Sequence, residues 1–138
     1  MRRRVEEGVC EVDCVDPRGV AGAARAVPPE QALRRAAEAF KALANPSRLR
    51  VLRALEGREL CVCDLSRVLR LSMSGTSQHL RDLRRLGAID FRVSGKLVYY
   101  SLADPFWSAI AARVLERPGN GEAALRGPRL PRARRVPA

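Results

Sequence analysis

Residues 71–102 read LSMSGTSQHLRDLRRLGAIDFRVSGKLVYYSL, and within this stretch the apolar period changes from that of a helix to that of a strand. Met73, Thr76, Leu80 and Leu83 recur at helical spacing, with Ser72 placed to cap the start and Gly87 to end it. Ile89, Phe91 and Val93 then alternate, a Ser94-Gly95 turn reverses the chain, and Val98 and Tyr100 alternate on the return. A β-hairpin therefore follows the helix directly.

Working outward, Leu65, Val68 and Leu69 mark a short helix that starts near Cys61 or Val62 and stops around Arg70. Before it, Asn45-Pro46 supplies an N-cap and a first-turn proline for a helix with Leu49, Leu52 and Leu55 inward, and Gly57 follows its end. Earlier still, Leu33, Ala36, Ala37, Phe40 and Leu43 form another helical stripe. Downstream, Asp104-Pro105 opens a last helix with Trp107, Ile110, Ala111 and Val114 on one side. The order α-α-α-α-β-β-α predicts a mainly α fold with a small β-hairpin, a winged helix-turn-helix.

The flanks differ in composition. PRGVAGAARAVPPE at 17–30 reads as linker, and RPGNGEAALRGPRLPRARRVPA at 117–138 as a basic, disordered tail. The expected organisation is a flexible arm over 1–29 carrying Cys10 and Cys14, one compact domain over 30–116, and the tail. No apolar run suggests a signal sequence or a bilayer span, so the expected location is the cytoplasm, with no membrane partner.

The formal charge of +11 and a pI near 11.0 point to a polyanionic partner, double-stranded DNA above all. Arginine supplies 24 of the 26 basic residues, a bias that base composition can also produce. The positive excess is +6 over residues 30–116 and +5 over 117–138. If the helix at 73–86 turns its apolar stripe inward, Ser74, Gly75, Gln78, Arg81 and Arg85 face outward, which suits a major groove. Arg92 and Lys96 on the hairpin are placed for flanking backbone or minor groove, and His79 is either DNA-facing or a packing residue. One histidine, no nucleophile–base arrangement and no phosphate-binding glycine loop leave nothing to carry catalysis or to hold a small-molecule substrate.

The four cysteines fall in two close pairs, Cys10/Cys14 and Cys61/Cys63. In a reducing compartment such spacings resemble metal ligation more than structural disulfides. Three or four thiolates favour Cd(II), Pb(II), Zn(II), Hg(II) or Bi(III) over hard cations. Residues i and i+2 inside a helix point about 200° apart, so Cys61 and Cys63 can share an ion only at a helix start. There the N-terminus also favours thiolate. Two ligands are incomplete, so Cys10 and Cys14 must fold back, from the same chain or from another subunit.

KALANPSRLRVLRAL, ELCVCDLS, SGTSQHLRDLRRLGAI and GKLVYYSL together resemble the ArsR/SmtB family of metal-responsive winged-helix repressors over roughly residues 31–104. ELCVCDL is shared by arsenic and by cadmium/lead sensors of that family, while the leading CEVDC resembles its CadC-type cadmium, lead and zinc sensors. The arsenic type that is most similar carries a third cysteine where Ser66 stands. The family's second metal site, on the last helix, is expected to be absent: Asp104 matches its first ligand, but Phe106 stands where a His would be. The resemblance implies a homodimer in which arm cysteines cross to the other subunit, with Phe40, Trp107, Ile110 and Val114 at the interface. It implies an operator-binding repressor released when Cys10, Cys14, Cys61 and Cys63 take up Cd(II), Pb(II) or Zn(II), by reciprocal coupling between metal and DNA. The alternatives are an As(III)- or antimonite-responsive repressor and a thiol-redox-responsive one.

Overall fold

The computed structural model describes residues 8, 10, 12 and 14–117. From residue 118 on, the expected basic tail lies outside the described residues. Residues 1–38 and 39–138 are two separately compact units.

The first unit holds α1 (Pro17–Ala26), where the sequence predicts linker. The correction has a local cause. The Asp16 carboxylate accepts the Arg18 N–H at 3.1 Å, Pro17 sits in the first turn, and the alanines that follow favour helix enough to carry Gly19 and Gly22. A second helix, α2 (Glu30–Leu43), follows Pro28-Pro29, and its C-terminal residues belong to the second unit.

In the second unit α3 (Pro46–Ala54) is capped by Asn45, whose side-chain oxygen accepts the Ser47 and Arg48 N–H groups at 2.9 and 3.3 Å. A short strand β1 (Leu60–Cys61) leads straight into α4 (Val62–Leu69), and α5 (Met73–Arg85) follows after a tight turn at Arg70 (φ 54°). Ser72 caps α5 by accepting the Gly75 N–H at 3.0 Å, and Gly87 follows its end at φ 77°, as the sequence predicts. Strands β2 (Ile89–Ser94) and β3 (Leu97–Leu102) form the hairpin, and α6 (Pro105–Leu115) is the last element among the described residues, with Asp104 accepting the Phe106 N–H at 2.9 Å. The molecule is mainly helical with one small antiparallel sheet, and α4, α5 and the hairpin make a winged helix-turn-helix.

β1 is absent from the sequence reading. It pairs with β3 (Leu60 opposite Tyr100, Cys61 opposite Tyr99), so the sheet order is β1-β3-β2. Two residues are too few for a period of two to register. The hairpin turn is also shifted by one position: Ser94 pairs with Leu97, so Gly95 and Lys96 form the turn. Gly95 has φ 60°, the first-position geometry that favours glycine in a two-residue hairpin loop.

The core joins Val51, Leu52 and Leu55 of the α3 segment to Leu65 and Leu69 of α4 and Leu80 and Leu83 of α5, closed by Ala88, Ile89 and Ala111. In the apolar stripes that mark α4 and α5, two residues are exposed rather than buried. Met73, the first residue of α5, is 46% exposed. Val68, 49% exposed, lines an open apolar groove of about 510 Å³ with Pro46, Leu49, Ala54 and Leu115. Arg48 ties this core to both neighbours: it donates to the Ala42 carbonyl at 2.8 Å and pairs with Asp82 of α5, both side chains being about four-fifths buried.

Burial sorts the α5 stripe by energy. Leu80→Ala should lower unfolding free energy by about 2–5 kcal/mol. Met73→Ala should cost under about 1 kcal/mol. Urea unfolding at fixed protein concentration compares them, and equal losses would place Met73 in the core.

Candidate nucleic-acid interface and thiol site

Because Thr76, Leu80 and Leu83 are fully buried, the opposite side of α5 is open. Ser74, Gln78, Arg81 and Arg85 are exposed there, with Gly75 half-buried beside them. A Cβ at Gly75 would stand 3.2 Å from the Ser72 capping oxygen, so glycine here also protects the cap. Gln78 is held at both ends: its Nε2 donates to Asp82 at 3.4 Å and its Oε1 accepts from Arg81 at 2.9 Å. Asp82 is therefore a hub, joined to Arg48 on its buried side and 3.7 Å from Arg85 on its open side.

His79 differs from its neighbours on α5. The residue is half-buried and its Nδ1 is enclosed without a hydrogen-bond partner, which favours packing over DNA contact.

Arg84 is absent from the predicted face and has a distinct place. Its guanidinium lies 4.2 Å from the Phe91 ring centre and 3.9 Å from Asp90, clasping the wing to α5. Phe91 in turn packs on Tyr100 at 5.8 Å.

On the wing, Lys96 is exposed at the turn. Arg92 is exposed but engaged: Glu59 accepts its Nε at 3.0 Å and its second nitrogen at 2.7 Å, and the guanidinium lies 4.9 Å from the Tyr99 ring centre. The Arg92 hydrogen bonds and charge hold the Glu59 carboxyl below the usual carboxylate range and raise Arg92 in return. Glu59 was not singled out from sequence, since its partner is 33 residues away.

Cys61 is the N-cap of α4, extended at φ −77° and ψ 166°, and is buried, while Cys63 in the first helical turn is exposed. The two thiols thus sit at a helix start rather than inside it, where their spacing permits a shared ion. Asp64 is a partner of Cys61 that sequence reasoning missed: its Oδ2 accepts from Cys61 Sγ at 3.1 Å and from the Cys61 backbone nitrogen at 3.4 Å. A Cys-x-x-Asp spacing at a helix cap is the signal that could have found it. Thiol sulfur is a soft donor and suits a soft or borderline divalent ion rather than Mg(II) or Ca(II).

In the first unit Cys10 and Cys14 are exposed. The neighbouring Cys10 thiol raises the Cys14 pKa, so a metal taken up there must displace a reluctant proton. The two cysteine pairs belong to different units. Among the described residues no three His, Cys, Asp or Glu side chains are gathered as a metal cluster. Of Phe40, Trp107, Ile110 and Val114, Phe40 and Val114 are exposed and the other two half-buried. Among the described residues no helix is long and apolar enough to cross a membrane.

With iodoacetamide limiting, exposed Cys63 should label at least about tenfold faster than buried Cys61 by peptide mass spectrometry. Equal rates would mean that Cys61 is not enclosed at the strand–helix junction.

The sequence profile described as bacterial regulatory protein, arsR family, matches residues 45–90. A transcriptional repressor SmtB homolog of Synechocystis is 53% identical over 68 residues, 49% of this chain and 52% of that protein. A cadmium resistance transcriptional regulatory protein CadC homolog of Staphylococcus aureus is 47% identical over 70 residues, 49% of this chain and 57% of its own length. The chain thus spans just over half the length of these two relatives. Reduced HlyU from Vibrio cholerae superimposes with a TM-score of 0.57 at 36% identity, covering 64% of this chain and 96% of that one.

Proposed function

The chain belongs to the arsR family of bacterial regulatory proteins, and from that premise we propose that it is a metal-responsive transcriptional repressor that leaves its operator when a soft heavy-metal ion is bound. The observation that carries this reading is the position of Cys61. One residue caps α4, the helix that packs against α5, and pairs with β3 of the wing. A ligand held there bears on the wing strand β3 directly and on the recognition helix α5 only through α4, which packs against it.

On DNA, Gln78 and Ser74 read base edges, Gly75 allows close approach, and Arg81, Arg85, Arg92 and Lys96 take phosphates or guanine. The chain acts as a homodimer through the Phe40 face of α2 and the Trp107, Ile110 and Val114 side of α6. Supporting this is the exposure of Phe40, a large apolar side chain left 62% open within one subunit.

Cys61 and Cys63 supply two thiolates and Cys10 and Cys14 the rest, drawn from the arm of the same or the partner subunit. When bound, the ion supplies a cross-link between arm and α4. Cd(II), Pb(II) and Zn(II) are the inducers that this donor set favours. The second metal site of α6 is absent in this reading, because Phe106 stands where a His would be, and Asp104 serves as the helix cap. The same reading makes the protein a non-enzyme.

Cd(II), Pb(II), Zn(II) and As(III) are to be titrated into reduced protein on a fluorescent operator obtained by selection from random duplexes. Anisotropy and the ultraviolet sulfur-to-metal band are followed together. Cd(II) or Pb(II) should release DNA as the band grows, and Cys61→Ser or Cys63→Ser should abolish release. Release by As(III) alone would replace the inducer, and release by peroxide with no metal response would replace the mechanism. Arg81→Ala should weaken all duplexes alike and reduce the salt slope by about one.

A further inference from the structure

Three residues lie in one cross-strand row of the sheet. Cys61 of β1 stands opposite Tyr99 of β3, and Tyr99 stands opposite Arg92 of β2. Directly opposed residues share a face, so a thiol, a phenol and a guanidinium follow one another across the strands. The row closes on itself. Arg92 reaches over the Tyr99 ring and forks onto Glu59, two residues before Cys61.

We propose that the Glu59–Arg92 pair is the latch through which occupancy of the Cys61/Cys63 site is felt at the wing, Arg92 being held by Glu59 in the DNA-released state and by a DNA phosphate in the bound state. This rests on the metal-responsive reading above and deepens it by naming the link. The fork takes up one edge of the guanidinium, Nε and one terminal nitrogen, and the carboxylate both offsets its charge and turns it toward Glu59, so a DNA phosphate must compete with Glu59 for Arg92. Single exposed ion pairs contribute little, but this one is bidentate and stacked, and its carboxylate stands on the segment that carries the metal ligand. A change in the Cys61 backbone moves Glu59 and Tyr99 together, because one precedes it in the chain and the other is bonded across from it. Binding that favours the closed latch must then disfavour DNA, and the reverse holds by linkage.

The test uses the full chain, wild type and Glu59→Gln, on the selected operator with Cd(II) as probe. Freed of its carboxylate, Arg92 should tighten metal-free DNA binding, with the salt slope unchanged because the bound state contacts the same phosphates. The ratio of DNA dissociation constants with and without Cd(II) should fall by at least about threefold, with the sulfur-to-Cd(II) band unchanged. Arg92→Lys, which keeps charge but loses the fork, should show the same loss of Cd(II) response without tighter metal-free binding. A Glu59→Gln chain with the wild-type ratio overturns the latch alone. A lost band in Glu59→Gln overturns it too, by making Glu59 part of the metal site. A wild-type chain indifferent to Cd(II), Pb(II), Zn(II) and As(III) overturns the metal-responsive reading and the latch with it.

Discussion

The burial of Leu80 and Leu83 between α3 and α4 is the constraint on which the rest depends. Both are completely enclosed, and no rotation of α5 can keep them so while changing the residues on its open side. Helical periodicity then decides that Gln78, Arg81 and Arg85 point outward as a set. A hydrophobic requirement in the core thus fixes the orientation of a polar surface that contributes little to it.

Electrostatics refine what packing sets. Asp82 is the one acid on the α5 surface, and it is answered from below by Arg48. That pairing leaves the surrounding arginines in excess, as a surface for polyanions demands. Arg84 is drawn away from this face by Phe91 and Asp90 and fastens the wing. Arginines adjacent in sequence therefore do different things: Arg85 stays at the open face while Arg84 is structural.

The thiol site is built at a junction rather than in a pocket. Cys61 is at once the end of a strand, the cap of a helix and a neighbour of Asp64. A residue shared by two elements is bonded into both, so a displacement of Cys61 reaches β3 of the wing and α4, the helix packed on α5.

The sequence by itself determined the helices from α2 onward, the hairpin, the outward face of α5 and the helix-start position of Cys61 and Cys63. Each of these is local: a period, a cap or a glycine within a few residues specifies it. The tertiary structure alone decided the rest. β1 was invisible because two residues carry no period, α1 because its alanines have no apolar stripe, and the exposure of Met73 and Val68 because a stripe gives a direction but not how far the core extends. Asp64 needed the cap geometry, the partners of Arg48 and Arg84 needed the packed elements, and the pairing of Glu59 with Arg92 needed a fold that brings together residues 33 apart. Long-range pairings of this kind leave no trace in a single sequence, since neither charge betrays which of the many others it will meet.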